Sequence, residues 1–241
     1  AMHALKVQNA DFRFGNCPEY YMVIDFGGGT LDICVIRTDT LGRTPEIIST
    51  SGDSELGGKE FDDIIEHKFF RNVEGVSRDH LSGRELAELS DKIKEAKETF
   101  SENFKNNELA SFSFHLTAGQ YSLTMSRSEF ENICKDRGIY DKIKNCIHNA
   151  LEQAHLDVNS IKKVILTGGS SKWYFIRNIV AKEFALGGES IFLTENPFTD
   201  VANGCAISVG HPDAAPDKKG VWVKYKLNKN DKWSAPKCIL K

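Results

Sequence analysis

The residues best suited to chemistry stand in "VIDFGGGTLDICVI", Val23 to Ile36. An apolar run meets Asp25, then Gly27, Gly28 and Gly29, then Thr30 and Asp32, then apolar residues again. Backbone amides bare of side chains admit anion oxygens closely, and successive N–H groups in a tight turn form an anion-binding nest. Asp25 ends its strand where a carboxylate can hold a hydrated magnesium ion, and Asp32 can assist, because magnesium keeps several waters and needs few protein ligands. The chemistry indicated is therefore phosphate plus a divalent cation. A strand follows the glycines, which excludes the Walker loop and the dinucleotide fingerprint, since both need a helix directly after them. A plain glycine turn flanked by solvated acids has the same spacing and stays open at this point.

Three further features carry polar or glycine-rich patterns. "LGGKEFDD" places Gly57 and Gly58 at the start of a helix, whose N-terminus favours anions; a simple helix entry reads the same way. "LTGGSSKW" sets Gly168 and Gly169 between strand and helix. Its glycines would let a flat base or a sugar lie on the backbone, with Ser170 or Ser171 capping the helix, and it also fits an ordinary βα turn. Lys94, Lys97 and Ser101 follow one another at i, i+3 and i+7, a stripe that could line a cleft and bind nucleoside hydroxyls. A solvated helix face with a Lys94–Glu98 pair is the alternative.

The elements that must position these residues follow from periodicity. Tyr20 to Ile24 reads as a buried strand, Leu31 to Ile36 as a second and "TPEIIST" as a third. Phe61, Ile64, Ile65 and Phe69 mark one helix. Leu86, Leu89, Ile93, Ala96, Phe100 and Phe104 mark another, from Arg84 to Phe104. "SFSFHLTAGQYSLTM" reads as a hairpin turning at "TAGQ", and Ser126 with Glu129 as a capping box. Ile139, Ile143, Ile147, Leu151 and Ala154 give a further helix. "KKVILTGGSSKWYFIRNIVAKEF" gives strand, glycine turn and helix, and "NPFTDVANGCAISVG" a turn and a small-residue helix. "GHPDAAPDKKG" reads as a linker, after which "VWVKYKL" and "KWSAPKCILK" are expected to pair.

With 241 residues, 40% hydrophobic and 27% charged, the chain can bury a sizeable core and hold two subdomains. A formal net charge of -3 gives no ground for a nucleic-acid or anionic-membrane partner. No apolar run has spanning length and no secretory signal opens the chain. The cysteines at 17, 34, 134, 146, 205 and 238 match no zinc spacing and read as reduced, buried thiols of a cytoplasmic protein.

"DFGGGTLD", "LGGKEFDD", "KEAKETFS", "LTGGSSKW" and "NPFTDVANGCAI" succeed one another as in the actin-like ATPase superfamily. The chain most resembles the ATPase domain of the seventy-kilodalton heat-shock chaperones, the DnaK-like family, over roughly residues 1 to 210. The resemblance implies an α/β fold, an actin-like (ribonuclease H-like) lobe. Residues 1–55 and 157–210 would form a mixed sheet flanked by helices. Residues 56–156 would be an inserted helical subdomain with a small antiparallel sheet, and 211–241 a linker and β tail. It also implies Mg-ATP or ADP as ligand, client or co-chaperone proteins as partners, and hydrolysis that drives a conformational switch.

By the same resemblance, Gly27, Gly28, Gly29 and Thr30 meet the β- and γ-phosphates. Asp25 positions the metal or the attacking water, and Asp32 sits near the cation. Gly57, Gly58, Lys97, Ser101, Gly168, Gly169 and Ser170 fall on nucleoside positions. "AMHAL" resembles the end of a helix between two lobes, so the chain is expected to carry half an active site and to hydrolyse little alone. Four residues depart from the family pattern. Lys94 replaces a ribose-binding glutamate, Glu98 and Lys172 replace arginines beside the base, and Phe198 replaces an aspartate. These departures keep two alternatives open, a catalytically dead scaffold and a filament-forming actin-like protein.

Overall fold

A computed structural model describes residues 18–38, 46–184 and 190–209, and the short pieces 222–223 and 237–238. Its centre is a five-stranded mixed sheet of order β3-β2-β1-β6-β7. Strand β2 (Leu31–Thr38) runs antiparallel to both of its neighbours, β1 (Glu19–Phe26) and β3 (Glu46–Asp53). On the other side of β1, β6 (Ile161–Thr167) and β7 (Ile191–Leu193) run parallel to it.

The sequence of β1 explains its central place. Met22, Ile24 and Phe26 point into the main core, while Tyr21 and Val23 join Ile36 and Ile165 in a smaller cluster on the opposite face. A strand apolar on both faces must be covered on both.

Between β3 and β6 the chain forms α1 (Gly58–Asn72), α2 (Gly83–Asn103), the hairpin β4 (Leu109–Leu116) and β5 (Gly119–Ser126), α3 (Arg127–Asp136) and α4 (Ile139–Gln153). After β6 come α5 (Ile176–Phe184) and α6 (Asp200–Val209). The small antiparallel sheet, the mixed sheet and the flanking helices agree with the expected fold class. In the tail, β8 (Trp222–Val223) pairs antiparallel with β9 (Lys237–Cys238); the linker "GHPDAAPDKKG" and "AMHAL" lie outside the described residues.

Two local details differ from the expectation. At α2 the helix starts one residue earlier than periodicity suggested, at a complete capping box: Ser82 N donates to Glu85 Oε2 at 2.8 Å and Glu85 N to Ser82 Oγ at 3.4 Å. At α3 the expected box is half formed. Glu129 N donates to Ser126 Oγ at 3.1 Å, but the Glu129 carboxylate is taken by Lys68 of α1. A charged partner outcompetes a backbone amide for a carboxylate. The helix α4, which the sequence grouped with the inserted segment, packs on β2 and β3, where Ser49 Oγ donates to Ala150 O at 2.7 Å.

An aromatic cluster joins the inserted segment to the sheet. Phe61 of α1 lies 6.0 Å from Phe26, 5.9 Å from Phe130, 4.8 Å from Trp173 and 5.7 Å from Phe175, ring centre to ring centre. Phe130 and Trp173 stack at 4.7 Å with 6° between their planes. Such pairs add to the transfer free energy of each buried ring. Phe61 is fully buried, so Phe61→Ala is expected to cost about 3–5 kcal/mol in urea unfolding, the usual loss when a core aromatic leaves a cavity.

Candidate functional site

Three parallel strands end at one place. The residues that follow β1, β6 and β7 (Gly27, Gly168 and Thr194) all line one cavity of about 830 Å³, a crevice outside the carboxyl ends of the parallel strands where open α/β sheets bind ligands. The far wall comes from α2 and the residues after it: Lys97, Glu98, Ser101, Glu102 and Lys105.

The β1–β2 turn is anchored through its carbonyls. Gly58 N donates to Gly27 O at 3.0 Å and Lys59 N to Gly28 O at 2.8 Å. Ser170 Oγ adds a second bond to Gly27 O at 2.8 Å. With the carbonyls held inward, the amides of Gly28 and Gly29 have no acceptor among the described residues. A Cβ on either glycine would meet nothing within 4 Å, and neither residue has a positive φ. Neither internal packing nor backbone conformation therefore requires glycine at 28 or 29. What glycine leaves there is open space at the Cβ positions beside N–H donors that have no acceptor among the described residues, a combination that suits an anion nest.

The other glycines serve the protein itself. A Cβ on Gly57 would come within 2.5 Å of the Gly29 backbone, so Gly57 lets helix α1 dock on the turn. At Gly58 it would meet Ser170 Oγ at 2.6 Å. Gly168 has φ +81° and lies against the Phe26 carbonyl and the Asp25 carboxylate, a place no side chain can take. Gly169 is covered by the Phe198 ring, whose Cε1 would lie 2.5 Å from an added Cβ. The expected helix cap also changes form. Ser171 Oγ donates to Thr167 O at 2.5 Å and Ser170 to the turn, because a 3-10 turn over Gly169–Lys172 separates both serines from α5.

Asp25 and Asp32 are direct cross-strand partners, so their side chains share one face at the end of the hairpin. Burial pushes the Asp25 carboxyl above the usual carboxylate range, and the charges of Asp32 and Asp200 push it further. Thr30 Oγ1 donates to Asp32 Oδ2 at 2.9 Å and thereby fixes one of the two acids. Two facing carboxylates beside a nest fit a hydrated magnesium ion bound largely through water and phosphate oxygens. Among the described residues there is no cluster of three metal-binding side chains.

The cavity thus gathers Asp25, Gly27, Gly28, Lys97, Ser101, Gly168, Gly169, Ser170 and Lys172 from the sequence-predicted set. Gly29, Thr30 and Asp32 belong to the turn and its flank, and Gly57 and Gly58 stand behind it. Lys94 is not a lining residue; it pairs with Asp91 at 3.0 Å, and not with Glu98, at an exposed position. Lys97 Nζ donates to Asp62 Oδ2 at 3.0 Å and lies 2.8 Å from Oδ1 without bonding geometry to that atom. Two further lining residues stand at helical spacing that the sequence reading did not use: Lys105 lies four residues after Ser101, and Glu102 four after Glu98. Leu193, Thr194 and Glu195 had no local signal, because only the sheet brings the end of β7 beside β6.

Comparison with known proteins gives the class. A model of the Hsp70 protein family matches residues 13–221, and the chain belongs to that family. It is 32% identical over 198 residues to the stromal 70 kDa heat shock-related protein of Pisum sativum chloroplasts, covering 80% of this chain and 27% of that protein. It is 31% identical over 199 residues to the chaperone protein dnaK of Emiliania huxleyi, covering 80% of this chain and 30% of the relative. To the chaperone protein DnaK of Nitrosopumilus maritimus it is 30% identical over 194 residues, covering 78% and 29%. The chain thus spans less than a third of the length of these curated relatives.

Two outcomes test the site. Gly57→Ala is expected to lower stability by about 1–3 kcal/mol, the usual cost of forcing an atom into a filled place, whereas Gly28→Ala stays within about 0.5 kcal/mol; thermal unfolding of both reads the difference. Asp25→Asn should raise Tm at pH 7. The folded-state pKa of Asp25 is raised, so its contribution is most favourable below the ordinary carboxylate range and is lost as pH rises through the folded value. Asparagine removes that loss, so the gain in Tm should shrink as the pH falls toward 3.

Proposed function

We propose that the chain is the nucleotide-binding lobe of a DnaK-like chaperone ATPase and binds Mg-ATP and Mg-ADP in the cavity. The observation that carries this reading is the turn at Gly27–Gly29. The Gly27 and Gly28 carbonyls are bonded to other segments, the Gly28 and Gly29 amides have no acceptor among the described residues, and a Cβ on either glycine would meet nothing within 4 Å. Gly27 to Thr30 would receive the β- and γ-phosphates. Lys97, Ser101 and Ser170 would border the nucleoside, with Gly168 and Gly169 behind it. Lys94, paired elsewhere in this geometry, would reach a ligand only by leaving Asp91.

Asp25 and Asp32 would hold magnesium through its waters, and the ion when bound neutralises phosphate charge. Asp25 orients the attacking water from its place at the strand end. Its raised pKa makes the carboxylate a better proton acceptor than an exposed aspartate. Within this reading, residues 1–55 and 157–210 form the core subdomain. Residues 56–156 form the inserted one, of which α4 is the part that lies on the sheet. Hydrolysis, conformational switching and client or co-chaperone binding belong to the longer protein. The chain alone is expected to turn over little, since phosphoryl transfer depends on charge placed from both sides. Cytoplasmic residence is part of the proposal and is supported by four free thiols among the described residues, one of them Cys134, whose pKa burial pushes up to about 12.

Calorimetric titration with Mg-ADP tests the reading. The chain is expected to bind, and Gly28→Val to bind at least about tenfold more weakly, a change of about 1.4 kcal/mol. Equal binding by both, or binding by neither, would count against the hairpin as the phosphate site.

A further inference from the structure

Among the described residues Phe198 is the most exposed large apolar side chain, at 71%, and it lines the cavity. Leu193, 40% exposed, and Val201, 61% exposed, line the same cavity. Three of the five large apolar side chains that the described residues leave in solvent therefore gather at one mouth. Scattered surface hydrophobes need no explanation, but a group at the edge of a polar cavity marks a surface meant to be covered.

Phe198 is also firmly placed. Its turn is closed by Thr199 N donating to Asn196 O at 2.9 Å. On one side Gly168 N donates to Pro197 O at 3.3 Å. On the other the buried Thr167 Oγ1 donates to Asp200 Oδ2 at 2.7 Å. The chain on both sides of Phe198 is thus tied to the end of β6, through the Pro197 carbonyl before it and the Asp200 carboxylate after it. The ring edge rests on Gly169, where any Cβ would collide with it. The Lys172 ammonium stands over the ring, 4.6 Å from its centre. An edge contact and one ammonium leave most of the ring free, as its exposure requires. A ring plugging the cavity would be buried.

From this geometry we infer that Phe198 is a stacking platform for the base of the bound nucleotide, with Leu193 and Val201 as its apolar border. Lys172 holds the ring from a cation–π position. The inference rests on the proposed nucleotide site and sets its specificity. Stacking uses the π-face that every base has and reads no hydrogen-bond pattern. Base choice therefore follows stacking area: adenine and guanine nucleotides bind alike, and pyrimidine nucleotides bind more weakly.

The test titrates the 241-residue chain with ADP, GDP, CDP and tripolyphosphate, each with magnesium, and repeats this for Phe198→Ala, Phe198→Trp and Gly28→Val. Phe198→Ala is expected to weaken ADP and GDP on the order of tenfold and to leave tripolyphosphate within about twofold. Phe198→Trp restores the affinity, and its fluorescence is quenched by ADP but not by tripolyphosphate. Because the side chain is exposed, unchanged Tm in both variants separates the effect from misfolding. Unchanged ADP affinity in Phe198→Ala, with Gly28→Val still defective, overturns the platform and leaves the phosphate site standing. Tighter ADP binding by Phe198→Ala overturns it too, since the ring would then be an obstacle. Failure of the wild-type chain to bind either ADP or tripolyphosphate removes the phosphate reading and the platform with it.

Discussion

The hydrogen bonds from Gly58 N and Lys59 N to the carbonyls of Gly27 and Gly28 fix the direction in which the β1–β2 turn faces. A glycine turn left to itself has many conformations. With its carbonyls tied to the first turn of α1 and to Ser170, and the Gly27 amide tied to Thr30 O, the amides of Gly28 and Gly29 are the ones left without an acceptor among the described residues. Those bonds require α1 to approach within contact of the turn, and Gly57 permits that by having no Cβ. The aromatic cluster around Phe61 holds the helix in place from its buried side. Packing deep in the core thus aims donors at its surface.

The same junction concentrates negative charge. Asp25 and Asp32 face each other across β1 and β2, a pairing that neither burial nor mutual repulsion favours. A cation at this point would relieve the repulsion, and without one the facing acids destabilise the fold. Lys97 shows the opposite arrangement, because its charge is already met by Asp62. It is a fixed wall of the cavity and not a free ammonium awaiting a phosphate.

Much of the fold was legible because it is written in local patterns. β1 and β2 showed as apolar runs, α2 as residues spaced by threes and fours, and the β4–β5 hairpin by its turn. The family resemblance rested on the order of the glycine motifs, and the match over residues 13–221 agrees with it. The half-formed capping box at Ser126 was not legible, because Lys68, which takes the Glu129 carboxylate, lies 61 residues away in sequence. Nor was the place of α4 on β2 and β3, since an amphipathic helix declares an apolar face but not what covers it.

The sequence by itself determined the elements, the three glycine motifs and the acids beside the first of them, since periodicity and residue type are local properties. Only the tertiary structure sorted the glycines by purpose. Gly28 and Gly29 face open space, Gly57 and Gly58 admit a helix, Gly168 takes a left-handed backbone, and Gly169 lies under Phe198. A glycine carries no side chain to announce its partner, so its role depends on which distant atoms come within contact. The same holds for Phe198 and Lys94. Their types are plain in the sequence, but one is placed at the cavity by the loop after β7 and the other is turned away by Asp91.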